Sequence, residues 1–173
     1  GEDDIENSKA LARNAWDLLH RWKVVPGSKT VGGEIDEEVL SSWVNRTREL
    51  LLEADRLDVG EAHIGQVFAH ARRDGDIWPA LAVRNFLDTN STEVIDRNFV
   101  VGIHNKRGVT SRGMTEGGDQ ERALAAQYEV FASQISDEWP KTARLLRRVV
   151  EGYREEARRN DEEAQRIQEG FDL

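Results

Sequence analysis

Apolar residues recur along this chain three and four positions apart and nowhere alternate with period two for long, the pattern of amphipathic helices. Leu11, Ala15, Leu18, Leu19 and Trp22 predict a first helix, followed by the loop signals Pro26-Gly27 and Gly32-Gly33. Asp36 reads as an N-cap, with Glu37 and Glu38 in the first turn, where the helix dipole favours acids. Val39/Leu40, Trp43/Val44, Thr47, Leu50/Leu51 and Ala54 then form the clearest stripe, and Gly60 is expected to end the turn after it. A short helix carries Ile64, Val67, Phe68 and Ala71, broken by Asp74-Gly75-Asp76. Trp78-Pro79 is expected to open a fourth helix, with proline at the first helical position, where a missing N–H costs nothing.

Asn90-Ser91-Thr92 ends that helix and caps a fifth, which carries Val94, Ile95, Phe99 and Ile103 and stops near Gly108. Residues 109–118 form a polar loop, and Asp119 is expected to cap a sixth helix with the stripe Leu124, Tyr128, Phe131 and Ile135. Trp139-Pro140 is expected to open a seventh just as Trp78-Pro79 opens the fourth, the stripe running through Ala143, Leu146, Val149/Val150, Tyr153 and Ala157. Beyond Ala157 only Ala164, Ile167 and Phe171 continue it. The expectation is an all-α fold, a compact bundle of about seven helices joined by short loops. One domain spans 1–173, with 1–7 and 165–173 frayed or loosely packed. Trp43, Leu50, Phe68, Phe86, Phe99, Leu124, Phe131 and Leu146 are its expected core.

Composition narrows function more by exclusion than by assignment. The chain has no cysteine, which removes disulfides, thiolate metal sites and cysteine nucleophiles. A net charge of −9, with arginine pairs set among acids, disfavours nucleic acid as a partner. No apolar run approaches a membrane span. The first residue is Gly1 and Met114 is the sole methionine, so a domain excised from a longer protein is expected. Histidines 63 and 70 stand two turns apart without an HExxH pattern, so no metal is expected, and no cofactor motif occurs.

Two patterns carry candidate chemistry. The glycine-bearing stretch 104–122 places Arg107 and Arg112 before a helix start, the candidate ligand-binding residues; the acids at 119 and 121 already occupy the positive end of that helix. Separately, residues 13–20 read RNAWDLLH and 97–104 read RNFVVGIH. In each an arginine and a histidine lie two helical turns apart and point the same way, on the side away from the apolar stripe. A cation and an imidazole so placed suit metal-independent RNA cleavage. The pattern resembles the Arg-x4–6-His signature of HEPN ribonucleases, and that resemblance implies catalytic roles for Arg13, His20, Arg97 and His104, with Asn14 and Asn98 as the following polar residues.

The strings WDLLHRWKVVPG, EIDEEVLSSWVNRTR, DGDIWPALAVRNFL, GGDQERALAAQYEVFA and WPKTARLLRRVVEGYREEA are similar to a helical segment near the C-terminus of large multidomain bacterial proteins. The resemblance runs from Trp16 to Glu163 and carries no catalytic assignment. It implies a bacterial, cytoplasmic accessory domain. The function expected first is therefore a non-enzymatic interaction or regulatory module, its partner another protein, the rest of its parent chain or a second copy. A HEPN-like ribonuclease is the alternative.

Overall fold

A computed structural model describes residues 22–29, 34–108, 113 and 116–170. They are all-α: six helices, with two isolated bridges, Ser28 to Ile35 and Asp74 to Ile77, as the only β-type pairing among them. The helices are α1 (Glu37–Glu53), α2 (Leu57–Phe68), α3 (Leu81–Thr89), α4 (Glu93–Lys106), α5 (Asp119–Ile135) and α6 (Pro140–Gln168). The expected first helix, with Leu11 to Leu19, lies outside the described residues.

Two helix pairs make the frame. α2 and α4 run in the same direction, with Gly65 against Ile95 and Phe99 and the Lys106 ammonium donating to the Ala69 carbonyl at 3.3 Å. That approach needs glycine, since a Cβ at position 65 would stand 2.4 Å from the Ile95 carbonyl oxygen. α5 and α6 run antiparallel, tied by Asp161 to the Gly118 N–H at one end and by Arg154 to Glu129 further along. α4 and α6 are parallel: Lys141 meets Ser91 and Asp96 at their starts, and Arg107 meets Glu156 at the far end.

The core sits where these pairs meet. Trp78 stacks on Phe99 at 5.7 Å and meets Tyr128 and Phe131 at 5.7 and 6.0 Å, while Phe68 packs edge-on against Phe86 at 5.3 Å. Phe68, Phe86, Phe99, Phe131 and Leu146 are buried as expected. Trp43 and Leu124 are only half-buried, and Leu50 is 48% exposed. α1 turns Leu40 and Val44 inward, so the stripe one residue along, which holds Trp43 and Leu50, faces outward.

Several helix ends differ from expectation. Asp36 does cap α1, accepting from the N–H groups of Glu38 and Val39 at 3.1 Å, and Thr92 caps α4. Gly60 lies inside α2, which begins three residues before it. Trp78-Pro79 does not open a helix: the peptide is cis, and α3 starts two residues later. Its capping acceptor is Asp74, which takes the Leu81 N–H from across a tight turn. Asp119 is the first residue of α5 rather than its cap; the preceding Gly118 N–H donates to Asp161 at 2.8 Å. Pro140 does open α6, and Asp88 accepts from the Lys141 and Thr142 N–H groups at 2.9 Å. α6 continues unbroken to Gln168, with Asn160 and Ala164 buried after the apolar stripe thins.

Candidate functional site

The outward stripe of α1 and the facing side of α2 enclose an apolar groove of about 200 Å³. Its floor and walls come from Trp22, Trp43, Leu51, Ile64 and Val67, with Thr47 and His63 as its polar members. The Trp22 and Trp43 rings lie 6.3 Å apart at one wall, and the Trp22 indole N–H turns back to the Val24 carbonyl at 2.5 Å. Gly60 lets the two helices close on each other, since a Cβ there would fall 1.9 Å from Leu51 Cδ1.

Beyond the groove the apolar character continues to solvent. Leu50 is joined by Leu52 at 63% and Val59 at 58% exposure around the α1–α2 turn. Exposed apolar side chains that stand singly are ordinary on a protein surface; here three lie beside a groove. The polar rim here is acidic. Glu53, Asp55 and Asp58 are exposed and make no ion pair among the described residues, while Arg56 turns its guanidinium onto the Asp55 carbonyl at 3.3 Å.

The residues singled out by pattern fall elsewhere. Arg13, His20 and Arg112 lie outside the described residues. Arg97 and His104 both sit on α4, and their surroundings differ. Arg97 is exposed. His104 is half-buried, its ring centroid 4.6 Å from that of Tyr153, so it does not lie on an open face away from the packed side. Burial holds its imidazole below the ordinary value; Glu156 works against that shift and Arg107 with it. The ring is boxed between α4 and α6, against Tyr153 and Gly152.

Arg107 is spoken for. Its guanidinium pairs with Glu121, which is 2% exposed, and with Glu156 at 3.3 Å. Burial, the largest single influence, would raise the Glu121 carboxyl, but the surrounding hydrogen bonds and the Arg107 charge, with the Arg107 hydrogen bond foremost, together outweigh it and the net shift is downward. This ion pair fastens the start of the 108–118 connection to α5 and α6, and removing either partner would strand a buried charge. The polar residues that line a cleft next to this loop are instead Lys23, Gln66, His70, Asn105 and Lys106. Burial and the nearby Lys106 and Lys23 push the His70 imidazole down. That cleft sits where α2 and α4 both end, and cations there answer the exposed carbonyls of two helix C-termini.

No group of histidine and carboxylate side chains suited to a metal occurs among the described residues, and no described helix is long and apolar enough to cross a membrane. Comparison with protein-family models, curated proteins and solved structures finds no match.

Proposed function

We propose that this chain is a non-enzymatic interaction module, an accessory domain of a larger cytoplasmic bacterial protein, whose α1–α2 groove receives an amphipathic helical segment of a protein partner. One observation carries the reading. Around Trp43 and Leu51 an apolar groove opens beside Leu50, Leu52 and Val59, which are exposed. A helix laid in such a groove buries a few apolar anchors at i, i+4 and i+7. The unpaired rim acids Glu53, Asp55 and Asp58 favour lysine or arginine flanking those anchors.

The test is calorimetric titration with a short leucine/lysine amphipathic helix, against a leucine/glutamate helix of the same pattern. The lysine peptide is expected to bind, and Thr47→Arg, which fills the groove, is expected to abolish binding while leaving the fold intact by circular dichroism. Equal binding of both peptides, or none, overturns the reading. So does tight binding of a peptide of residues 8–21 to a chain beginning at Trp22, because the groove would then serve this chain's own fold. Cleavage of single-stranded RNA in EDTA, lost in both His20→Ala and His104→Ala, would replace this reading with the HEPN ribonuclease.

A further inference from the structure

A second site lies away from the groove, on the seam where α4 and α6 begin. The two helices are parallel, so their N-terminal turns lie side by side, α4 capped by Thr92 and α6 by Asp88. Between them opens a cleft of about 400 Å³, lined by Glu93, Asp96 and Arg97 from α4 and by Arg144, Leu145 and Arg148 from α6. Leu145 is buried and forms the floor. Arg144 and Arg148 are four residues apart on one helix face, opposite Arg97.

What sets these arginines apart is that three of them line one cleft without a carboxylate partner among the described residues. Arg46, Arg48, Arg107, Arg122, Arg147 and Arg154 each pair with a carboxylate. Arg97, Arg144 and Arg148 make no ion pair or hydrogen bond among the described residues, although they share one cleft. Asp96 cannot neutralise them, because its carboxylate is held by Lys141 at 3.0 Å and by the Ser91 hydroxyl. Glu93, the other acid of the lining, meets no base among the described residues. Three guanidinium groups against the single free carboxylate of Glu93 leave the cleft net positive, in a chain of net charge −9.

The other cationic cleft, at Lys23, His70 and Lys106, makes a useful contrast. There the helix dipoles present their negative ends, and Lys106 already serves the Ala69 carbonyl. An anion is opposed at that place, whereas at the arginine cleft three guanidinium groups outnumber the one free carboxylate. We infer that the Arg97, Arg144 and Arg148 cleft binds a phosphate monoester. Arginine forks match phosphate oxygens two at a time, and a dianion with three terminal oxygens uses three guanidinium groups where a carboxylate cannot. The lining holds no histidine, serine, cysteine or lysine to attack or to move a proton, so the group is held and not cleaved.

The test uses the full chain and inorganic phosphate, with acetate at the same ionic strength as the carboxylate control. Two-dimensional NMR of the arginine Nε–H groups is expected to show shifts at Arg97, Arg144 and Arg148 with phosphate and not with acetate. The dissociation constant is expected to weaken at least about tenfold in an Arg144→Gln/Arg148→Gln chain and to stay within about twofold in Lys106→Gln. Phosphoserine and a nucleoside monophosphate then tell whether the phosphate is carried on a peptide or on a small molecule. The inference fails if those three arginines do not respond, if acetate binds as well, or if Lys106→Gln removes the binding. An unliganded melt of each variant separates loss of binding from loss of fold.

Discussion

The chain contains two near-copies of one sequence, Asp76-Ile77-Trp78-Pro79-Ala80-Leu81-Ala82 and Asp137-Glu138-Trp139-Pro140-Lys141-Thr142-Ala143, and folds them in different ways. In the first the Trp-Pro peptide is cis and the helix waits until Leu81; in the second Pro140 is itself the first helical residue. Trp78 is buried, its indole N–H donating to the Ala71 carbonyl at 2.7 Å and its ring meeting Phe99, Tyr128 and Phe131. Trp139 is half-buried, donating to the Asn85 carboxamide at 2.8 Å and lying under the Arg84 guanidinium at 4.4 Å. Both segments lean on α3, where Arg84 joins them by also donating to the Pro79 carbonyl at 2.7 Å. Each following helix is capped from a distance, α3 by Asp74 and α6 by Asp88. A shared dipeptide thus yields one core anchor and one helix opener, and the neighbours each copy meets decide between them.

The tryptophans should separate most widely. Trp78→Ala is expected to cost about 3–5 kcal/mol, because it empties the centre of an aromatic cluster. Trp139→Ala should cost about 1–2 kcal/mol, the worth of a half-buried ring and one cation–π contact. Urea denaturation measures both, and equal losses would break the distinction between anchor and opener.

The remote caps come next. Asp88→Ala should destabilise by about 1–2 kcal/mol, since it strips two helix N–H groups and the Thr142 hydroxyl of their acceptor. Asp74→Ala should cost about 1–2 kcal/mol as well, for it frees the Leu81 N–H and removes the carboxylate 3.8 Å from the buried Arg84 guanidinium. If Asp119→Ala instead proved the costlier change, the capping read from local sequence would be right after all.

A pH dependence distinguishes the aromatic cluster of Trp78 from the surroundings of Trp139. The cluster continues from Tyr128 to Tyr153 and ends on His104, with ring separations of 5.9 and 4.6 Å. Burial lowers the His104 value in the fold, so the folded state binds fewer protons than the unfolded one. Its contribution to stability is complete above the ordinary histidine value of about 6.5 and is lost as pH falls through the lower folded value. His104→Gln should therefore shrink the drop in melting temperature between pH 8 and pH 5. His70, shifted in the same direction, should leave part of that drop in place. An unchanged drop would mean that His104 titrates alike in both states.

The smallest effect is expected at Pro140. Alanine suits the first turn as well, so Pro140→Ala should change stability by less than about 1 kcal/mol, chiefly through the freer unfolded chain. A larger loss would mean that the ring packs as well as opens the helix.

The fold class, the spacing of the helices and most of the core were legible along the chain, because a 3.6-residue apolar period needs no knowledge of neighbours. Asp36 and Thr92 were legible for the same reason: each caps N–H groups two or three residues away. Packing, and not pattern, selects which of two adjacent stripes on α1 faces inward. Leu40/Val44 and Trp43/Leu50 are alike in pattern, and the choice rests on the shape of α2 and α3. Packing also sets that Asp74 caps a helix across a tight turn and Asp88 one that starts some fifty residues on, that Arg107 is tied to Glu121, and that Arg97 faces Arg144 and Arg148 across a cleft. Pattern reading picked out Arg97 and His104 through their spacing on one helix. It missed the α6 arginines because parallel packing of α4 and α6 joins residues some fifty positions apart. Local periodicity determines what a segment can bury. Charge pairing and site assembly depend on which segments meet, and that is a property of the packed chain.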